Sequence, residues 1–278
     1  MDAAIDARRF GVGIALSSAF LEAAAAGYLT DTDWDGLKED WLEQALDYTA
    51  APCKGICGPL ARAYPRTARS ASPSHGAAYR LADYLEQFGR RARRDRIPPT
   101  SFWEAVRFAD LENLAAVAAA AENRGLLREA ARVRKYATAR GDASQAAVLV
   151  REWHSLHRRA ADRSAAQWAV AHSALDDPRG VARLLEALGK ASAEEQLIAL
   201  ADRAAAHTAL DSSEQPTRLL AALRETGAED QAEILVGRLP AEGHFLLFIE
   251  QADHKTRYRF GFEIDGSCAG PWGWDDLR

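Results

Sequence analysis

A mostly α-helical chain built from stacked helical hairpins is what three observations in the sequence predict. The first is a tandem repeat: residues 169–203 and 204–238 align at an offset of 35 with sixteen identical positions, among them His172/His207, Leu175/Leu210, Asp176/Asp211, Leu188/Leu223, Gln196/Gln231 and Arg203/Arg238. A period of this length, filled by two helices, marks an α-solenoid, in which each unit buries its apolar stripe only against its neighbours. The second is composition. Alanine is the commonest residue and β-branched residues are scarce, which favours helix because alanine gives up no side-chain entropy. The third is punctuation: from Ser101 onward, breaks at Gly125, Gly141-Asp142, Asp176-Asp177-Pro178, Gly189, Gly227 and Pro240 fall at intervals that fit helical hairpins.

Residues 14–27 read as a short apolar helix ending near Gly27. A second helix is expected over 34–50, where Trp34, Leu37, Trp41, Ala45 and Tyr48 recur at spacings of three and four and so define an inward face. Pro52 to Gly76 reads as loop, with a short hairpin around Ile56 to Tyr64. Helix is expected again from Ala77 to Arg94, with Tyr79, Leu81, Ala82, Tyr84, Leu85 and Phe88 on its buried side, and Ile97-Pro98-Pro99 stops it. Asp177-Pro178 places a capping carboxylate before a proline at the first helical turn. Ser192 and Glu195 have the spacing of a capping box. Near the C-terminus the period changes to two: Tyr258, Phe260, Phe262 and Ile264 alternate with Arg257, Arg259 and Glu263, Asp265-Gly266 offers a turn, and Trp272 and Trp274 follow. A small β cap over the end of the stack is the expectation. The division that results is 1–100, a helical subdomain; 101–244, the helical repeats; and 245–278, the β-hairpin and aromatic cap.

With 278 residues, 48% of them hydrophobic, the chain can bury a substantial core. The net charge of −5 argues against generic polyanion binding. No cationic start leads into an apolar run and no stretch reaches membrane-spanning length, so a cytoplasmic location is expected. Three cysteines do not suggest a secreted disulfide framework.

Candidate chemistry is sparse. Gly11-Val12-Gly13 lacks the lysine and the following Ser or Thr of a phosphate-binding loop. Cys53 and Cys57, with His75 and Cys268 as completions, and His154 with His157 could supply metal ligands, but each set lacks a matching second half and reads better as structure. His172 and His207 occupy equivalent repeat positions, which suits packing or a hydrogen bond between helices better than general-base catalysis. Asp176-Asp177 and Asp275-Asp276 have no acid–base companion. No catalytic residue, cofactor or metal is therefore expected. The one strongly basic run, Arg90 to Arg96, ends a helix, and Arg90, Arg91, Arg93 and Arg94 are the candidate partner-binding residues.

The phrases Ala7-Arg8-Arg9-Phe10-Gly11, Phe20-Leu21-Glu22-Ala23-Ala24, Trp41-Leu42-Glu43-Gln44-Ala45-Leu46, Tyr79-Arg80-Leu81-Ala82-Asp83-Tyr84-Leu85, Leu175-Asp176-Asp177-Pro178 and Pro271-Trp272-Gly273-Trp274 accumulate along the chain. With them the chain resembles the C-terminal helical-repeat (sensor) region of bacterial STAND-type, NLR-like NTPase regulators. The resemblance implies TPR-like repeats that sense a protein or peptide ligand, and a winged-helix-like subdomain over residues 13–95. It also implies an attached or separate nucleotide-switch module, whose motifs this sequence lacks. A nucleic-acid-binding regulator using the winged-helix-like region and Arg90–Arg96 is the alternative. It is disfavoured because Asp33, Asp35, Glu39, Asp40, Glu43 and Asp47 outnumber Lys38 where a recognition helix would lie.

Overall fold

The computed structural model describes residues 1–52, 57–63, 77–157, 162–210, 214–251, 254–263 and 266–271. The protein is mostly helical, with one small three-stranded sheet among the described residues, and it divides into two compact units, Met1–Arg140 and Gly141–Arg278. The division falls inside the span read from the sequence as one repeat region, and the Pro98-Pro99 boundary lies within the first unit.

The first unit opens with α1 (Asp2–Phe10), β1 (Leu16–Ser17) and α2 (Ser18–Ala25), which Ser17 caps by accepting from Phe20 N. The helix expected over 34–50 is instead two: α3 (Asp31–Asp35) and α4 (Trp41–Ala50). A capping box of Thr30 and Asp33 starts α3, and Gly36 ends it, as expected of the residue with the lowest helix propensity after proline. The break turns the anticipated inward face outward. Trp34, Leu37 and Tyr48 are exposed, while Leu46 is the buried residue of α4.

The helix expected from Ala77 to Arg94 is also corrected. Its first part is a strand, β3 (Ala78–Leu81), paired antiparallel with β1 and with β2 (Leu60–Ala63), so the strand order is β1-β3-β2. Tyr79 and Leu81 alternate with Ala78 and Arg80, and with Leu60 and Leu16 they form the sheet's buried face. Helix follows only as α5 (Asp83–Ala92), on which Tyr84 and Phe88 are exposed. Gly89 is the buried residue of α5 because α1 lies against it: a Cβ there would sit 2.3 Å from Ile5 Cγ2. The short α6 (Thr100–Ala105) places Phe102 and Trp103 against Phe10 and Phe20, with ring centroids 5.2–5.7 Å apart in tilted or edge-on pairs. The helices α7 (Leu111–Glu122) and α8 (Leu127–Ala139) close the unit as a hairpin.

The second unit contains α9 (Ala143–Leu156), α10 (Ser164–His172), α11 (Pro178–Lys190), α12 (Glu194–His207), α13 (Glu214–Glu225) and α14 (Glu229–Arg238). Contacts alternate: α11 lies against α9 and α13, α12 lies against α10 and α14, and each odd helix packs on its successor. One apolar core, running from Ala143 to Phe248, threads all of them. The expected cap at Asp177-Pro178 is present, with the Asp177 side chain accepting from Arg179 N at 3.1 Å.

The capping box expected at Ser192 is not present. Ser192 ends α11 in the left-handed region, φ 52°, with Ser192 N donating to Gly189 O and Ala193 N to Leu188 O. One repeat later the same turn is made by Gly227, φ 80°. A side chain in this conformation costs about 1–2 kcal/mol, partly offset by the lower chain entropy of a non-glycine residue when unfolded. Ser192→Gly is therefore expected to stabilise the second unit by about 0.5–1 kcal/mol, read as a rise of roughly 2–3 °C in Tm. An unchanged or lower Tm would show that the serine side chain contributes more than the strain it carries.

The C-terminal β cap is corrected for the described residues. Here α15 (Phe245–Ile249) and a single helical turn, α16 (His254–Arg257), precede one isolated bridge, Phe262 to Cys268. Ile264, Asp265, Trp272, Trp274 and Asp275-Asp276 lie outside the described residues. Tyr258 and Phe262 do not extend a strand because they turn back onto Phe245 and Phe248, with centroids 4.9–5.9 Å apart. Phe248 belongs to the core of the second unit, and Phe245 and Tyr258 pack against that core.

Candidate functional site

The repeat seen in the sequence has a structural counterpart in two arginines. Arg203 on α12 donates to Val170 O and, at 3.3 Å, to Ser173 O, the last carbonyls of α10. Arg238 on α14 makes the same pair of bonds one repeat on, to Ala205 O and Thr208 O at 2.9 Å each, the last carbonyls of α12. A helix C-terminus leaves carbonyls without partners and carries negative partial charge, so a guanidinium fork satisfies both demands. The clamp fixes each even helix to the next at a 35-residue spacing.

Of the repeat-matched histidines, His172 fits the packing half of the expectation, and its hydrogen bond stays within its own helix. His172 bonds through Nδ1 to Trp168 O at 2.8 Å, within its own helix, and its ring stacks on Trp168 at 4.3 Å. His157 does the same with Trp153, at 3.0 Å and 4.1 Å. His154 and His157 line a pocket of about 210 Å³ together with Trp153, Asp162 and Ser192. Asp162 is held below the usual carboxylate range by hydrogen bonds from Ser164. No group of three or more potential metal ligands occurs among the described residues. Cys57 and Cys268 are exposed thiols, and Cys53 and His75 lie outside the described residues.

The basic run leads to a second pocket, in the first unit. Its volume is about 430 Å³, within the range of roughly 300–1,000 Å³ usual for small-molecule sites. Arg90 and Arg94 line it, joined by Arg8, Arg9 and Arg124 from distant positions, and no carboxylate does. Arg91 is exposed and takes no part in the lining. Arg93 is committed elsewhere: it forks onto Asp6 at 2.9 and 3.1 Å and also pairs with Asp2, tying the end of α5 to α1. Hydrogen bonding to Asp6 holds the Arg93 guanidinium above its ordinary pKa.

Arg9 reaches in the opposite direction. Its guanidinium pairs with Asp6 at 3.0 Å and donates to Arg93 O, Arg94 O and Arg96 O, so it caps the end of α5 while its side chain is only 3% exposed. The Arg9 Nε has no partner among the described residues. Burial lowers the Arg9 pKa, Asp6 opposes this, and the nearby Arg124 and Arg93 charges lower it further. Glu86, which is not among the lining residues, pairs with both Arg8, at 2.8 Å, and Arg90, at 2.6 Å. Arg124 and Arg9 also lie over the Phe10 ring, at 4.6 and 5.0 Å from its centroid.

The sequence therefore located two of the five lining arginines. Arg8 and Arg9 close α1, and Arg124 follows α7. Each reads locally as an ordinary cation at a helix C-terminus, and only the packing of α1 against α5 and α7 gathers them. No helix among the described residues is long and apolar enough to cross a membrane. No family model matches the chain, and no curated protein or solved structure matches it either.

Proposed function

We propose that the protein is a non-enzymatic recognition scaffold: an α-solenoid that presents one face to a protein or peptide and relays occupancy to an attached or separate NTPase module of STAND-type, NLR-like kind. The single observation that carries this reading is the paired clamp of Arg203 and Arg238, each fastening the preceding even helix at the same two carbonyl positions. Identical fastenings one period apart, together with the alternating helix contacts, are what an array of TPR-like hairpins requires. Support for a winged-helix-like first unit comes from its element order, helix, strand, helices, then two strands with β3 central. The acidic residues on α3 and α4, among them Asp31, Asp33, Asp35, Glu43 and Asp47, direct that unit toward a partner other than duplex nucleic acid.

Arg183 and Arg218, identical between the two repeats, are both exposed, on α11 and α13. They would present cations one repeat apart to acidic groups on an extended ligand. Affinity capture from a native lysate, done in parallel with wild type and Arg183→Glu/Arg218→Glu, tests this. The expected result is a protein or peptide held by the wild type and lost from the variant. Recovery of nucleic acid alone would overturn the proposal in favour of a nucleic-acid-binding regulator.

A further inference from the structure

We infer that the pocket lined by Arg8, Arg9, Arg90, Arg94 and Arg124 is a binding site for a small, compact anion carrying two or more phosphates. The inference is independent of what the repeats bind, because every residue it uses belongs to the first unit.

Three features of the geometry carry it. Five guanidinium groups converge on one concavity with no carboxylate in the lining, in a chain whose net charge is −5. A concave cluster of one sign focuses potential on its opening and concentrates counter-ions there. Next, the cations are pressed together at a cost: Arg9 is buried, its Nε is left without a partner among the described residues, and Arg124 and Arg93 crowd its charge. An anion seated among them would relieve this mutual repulsion, so the arrangement favours occupancy. Finally, guanidinium groups match phosphate oxygens as two-pronged donors, which a lysine cluster would not do.

The C-terminal ends of α1, α5 and α7 meet here, and their partial negative charge would by itself repel an anion. The arginines have already neutralised part of it. Arg9 donates to the carbonyls ending α5, Arg124 to Ala120 O at 2.7 Å, and Arg8 to Gly13 O at 2.5 Å. Glu86 compensates Arg8 and Arg90 in part, and Asp6 compensates Arg9. Arg90 is exposed but held by Glu86 at 2.6 Å; the other exposed members are Arg94, paired with the exposed Asp95 at 3.4 Å, and Arg124. They are the groups freest to turn onto a ligand. A small anion fits better than a duplex because the site is a pocket rather than a stripe, and none of its residues lies on the acidic α3 or α4.

Calorimetric titration of inorganic pyrophosphate into the full chain tests the inference, with sodium sulfate at matched ionic strength as the control for diffuse charge. Saturable one-to-one binding is expected, weakened about tenfold or more in Arg94→Ala/Arg124→Ala. Both side chains are exposed, so the variant should keep the wild-type melting temperature. The exposed Arg91→Ala should bind as the wild type does. ADP binding more tightly than pyrophosphate would assign the phosphates to a nucleotide, whereas equal affinities would assign recognition to the phosphates alone; either supports the site. The inference is overturned if pyrophosphate fails to bind at low salt, if sulfate abolishes its binding, or if Arg91→Ala loses as much affinity as the double variant.

Discussion

Truncation after Gly243 is expected to leave a protein that melts well below the full chain and associates more strongly than the full chain does. The segment removed carries Phe248, which is 5% exposed within the core of the second unit, and the half-buried Phe245, Leu247, Ile249 and Tyr258 packed on the same core. Full burial of a large apolar side chain is worth about 2–3 kcal/mol, and half-burial roughly half of that. The sum is on the order of 6 kcal/mol, comparable with the whole stability of a typical domain. Two polar ties disappear as well: Arg224 donates to Gln251 Oε1 at 2.8 Å, and the His244 ring bonds to Leu210 O. The part of the second unit's core on which these residues pack would then face water as an apolar patch, which favours association. Light scattering and a thermal melt of the truncated chain decide the matter. A monomer with the wild-type Tm would mean that residues 244–278 form an independent module and close nothing.

How far the sequence announced this architecture depends on which signals were local. The 35-residue repeat was legible because its identities fall on positions that do structural work in every unit: Leu184, Leu185 and Leu188 are wholly buried, as are Leu219 and Leu223 one repeat on. Asp177-Pro178 was legible because a cap is decided by residues next to it in the chain. Residues 78–85 were not. In Ala-Tyr-Arg-Leu-Ala-Asp-Tyr-Leu the apolar positions fit a period of two for four residues and a helical period thereafter, and it is pairing with β2, some twenty residues away, that settles the first half as strand. The reverse happened at Tyr258 to Phe262, where an alternating pattern yields to an aromatic cluster with Phe245 and Phe248. The candidate anion pocket was half hidden for a similar reason. Arg90 and Arg94 stood out as part of a run, whereas Arg8, Arg9 and Arg124 each looked like a routine partner for a helix dipole. Convergence of three helix ends is a tertiary fact that no local spacing encodes.

Asp6→Ala is expected to cost the first unit about 3–5 kcal/mol, the penalty usual when one partner of a buried charge pair is removed. Asp6 is fully buried, and its carboxylate accepts from Arg93 Nε at 3.1 Å, Arg93 Nη2 at 2.9 Å and Tyr28 Oη at 2.8 Å while pairing with Arg9 at 3.0 Å. It is thus a buried anion shared by two arginines, and it joins α1 to the end of α5 and to the turn after α2. Burial and the neighbouring Asp6 charge both push the Tyr28 phenol pKa upward, so its proton stays in place to make this bond. Without the carboxylate, Arg9 remains 3% exposed with Arg93 and Arg124 nearby and no counter-charge. The chain must then either hold an uncompensated cation in its interior or open α1 away from α5 to hydrate it. Asp6→Asn keeps the shape and one acceptor but not the charge, and should fall between, at a cost of about 2 kcal/mol. Asp95→Ala is the surface control, because the Arg94–Asp95 pair is exposed on both sides and should contribute less than about 1 kcal/mol. Urea unfolding of the three variants, compared by midpoint at constant m, measures the order directly. If Asp6→Ala unfolds at the same midpoint as Asp95→Ala, the buried cluster does not hold α1 to α5.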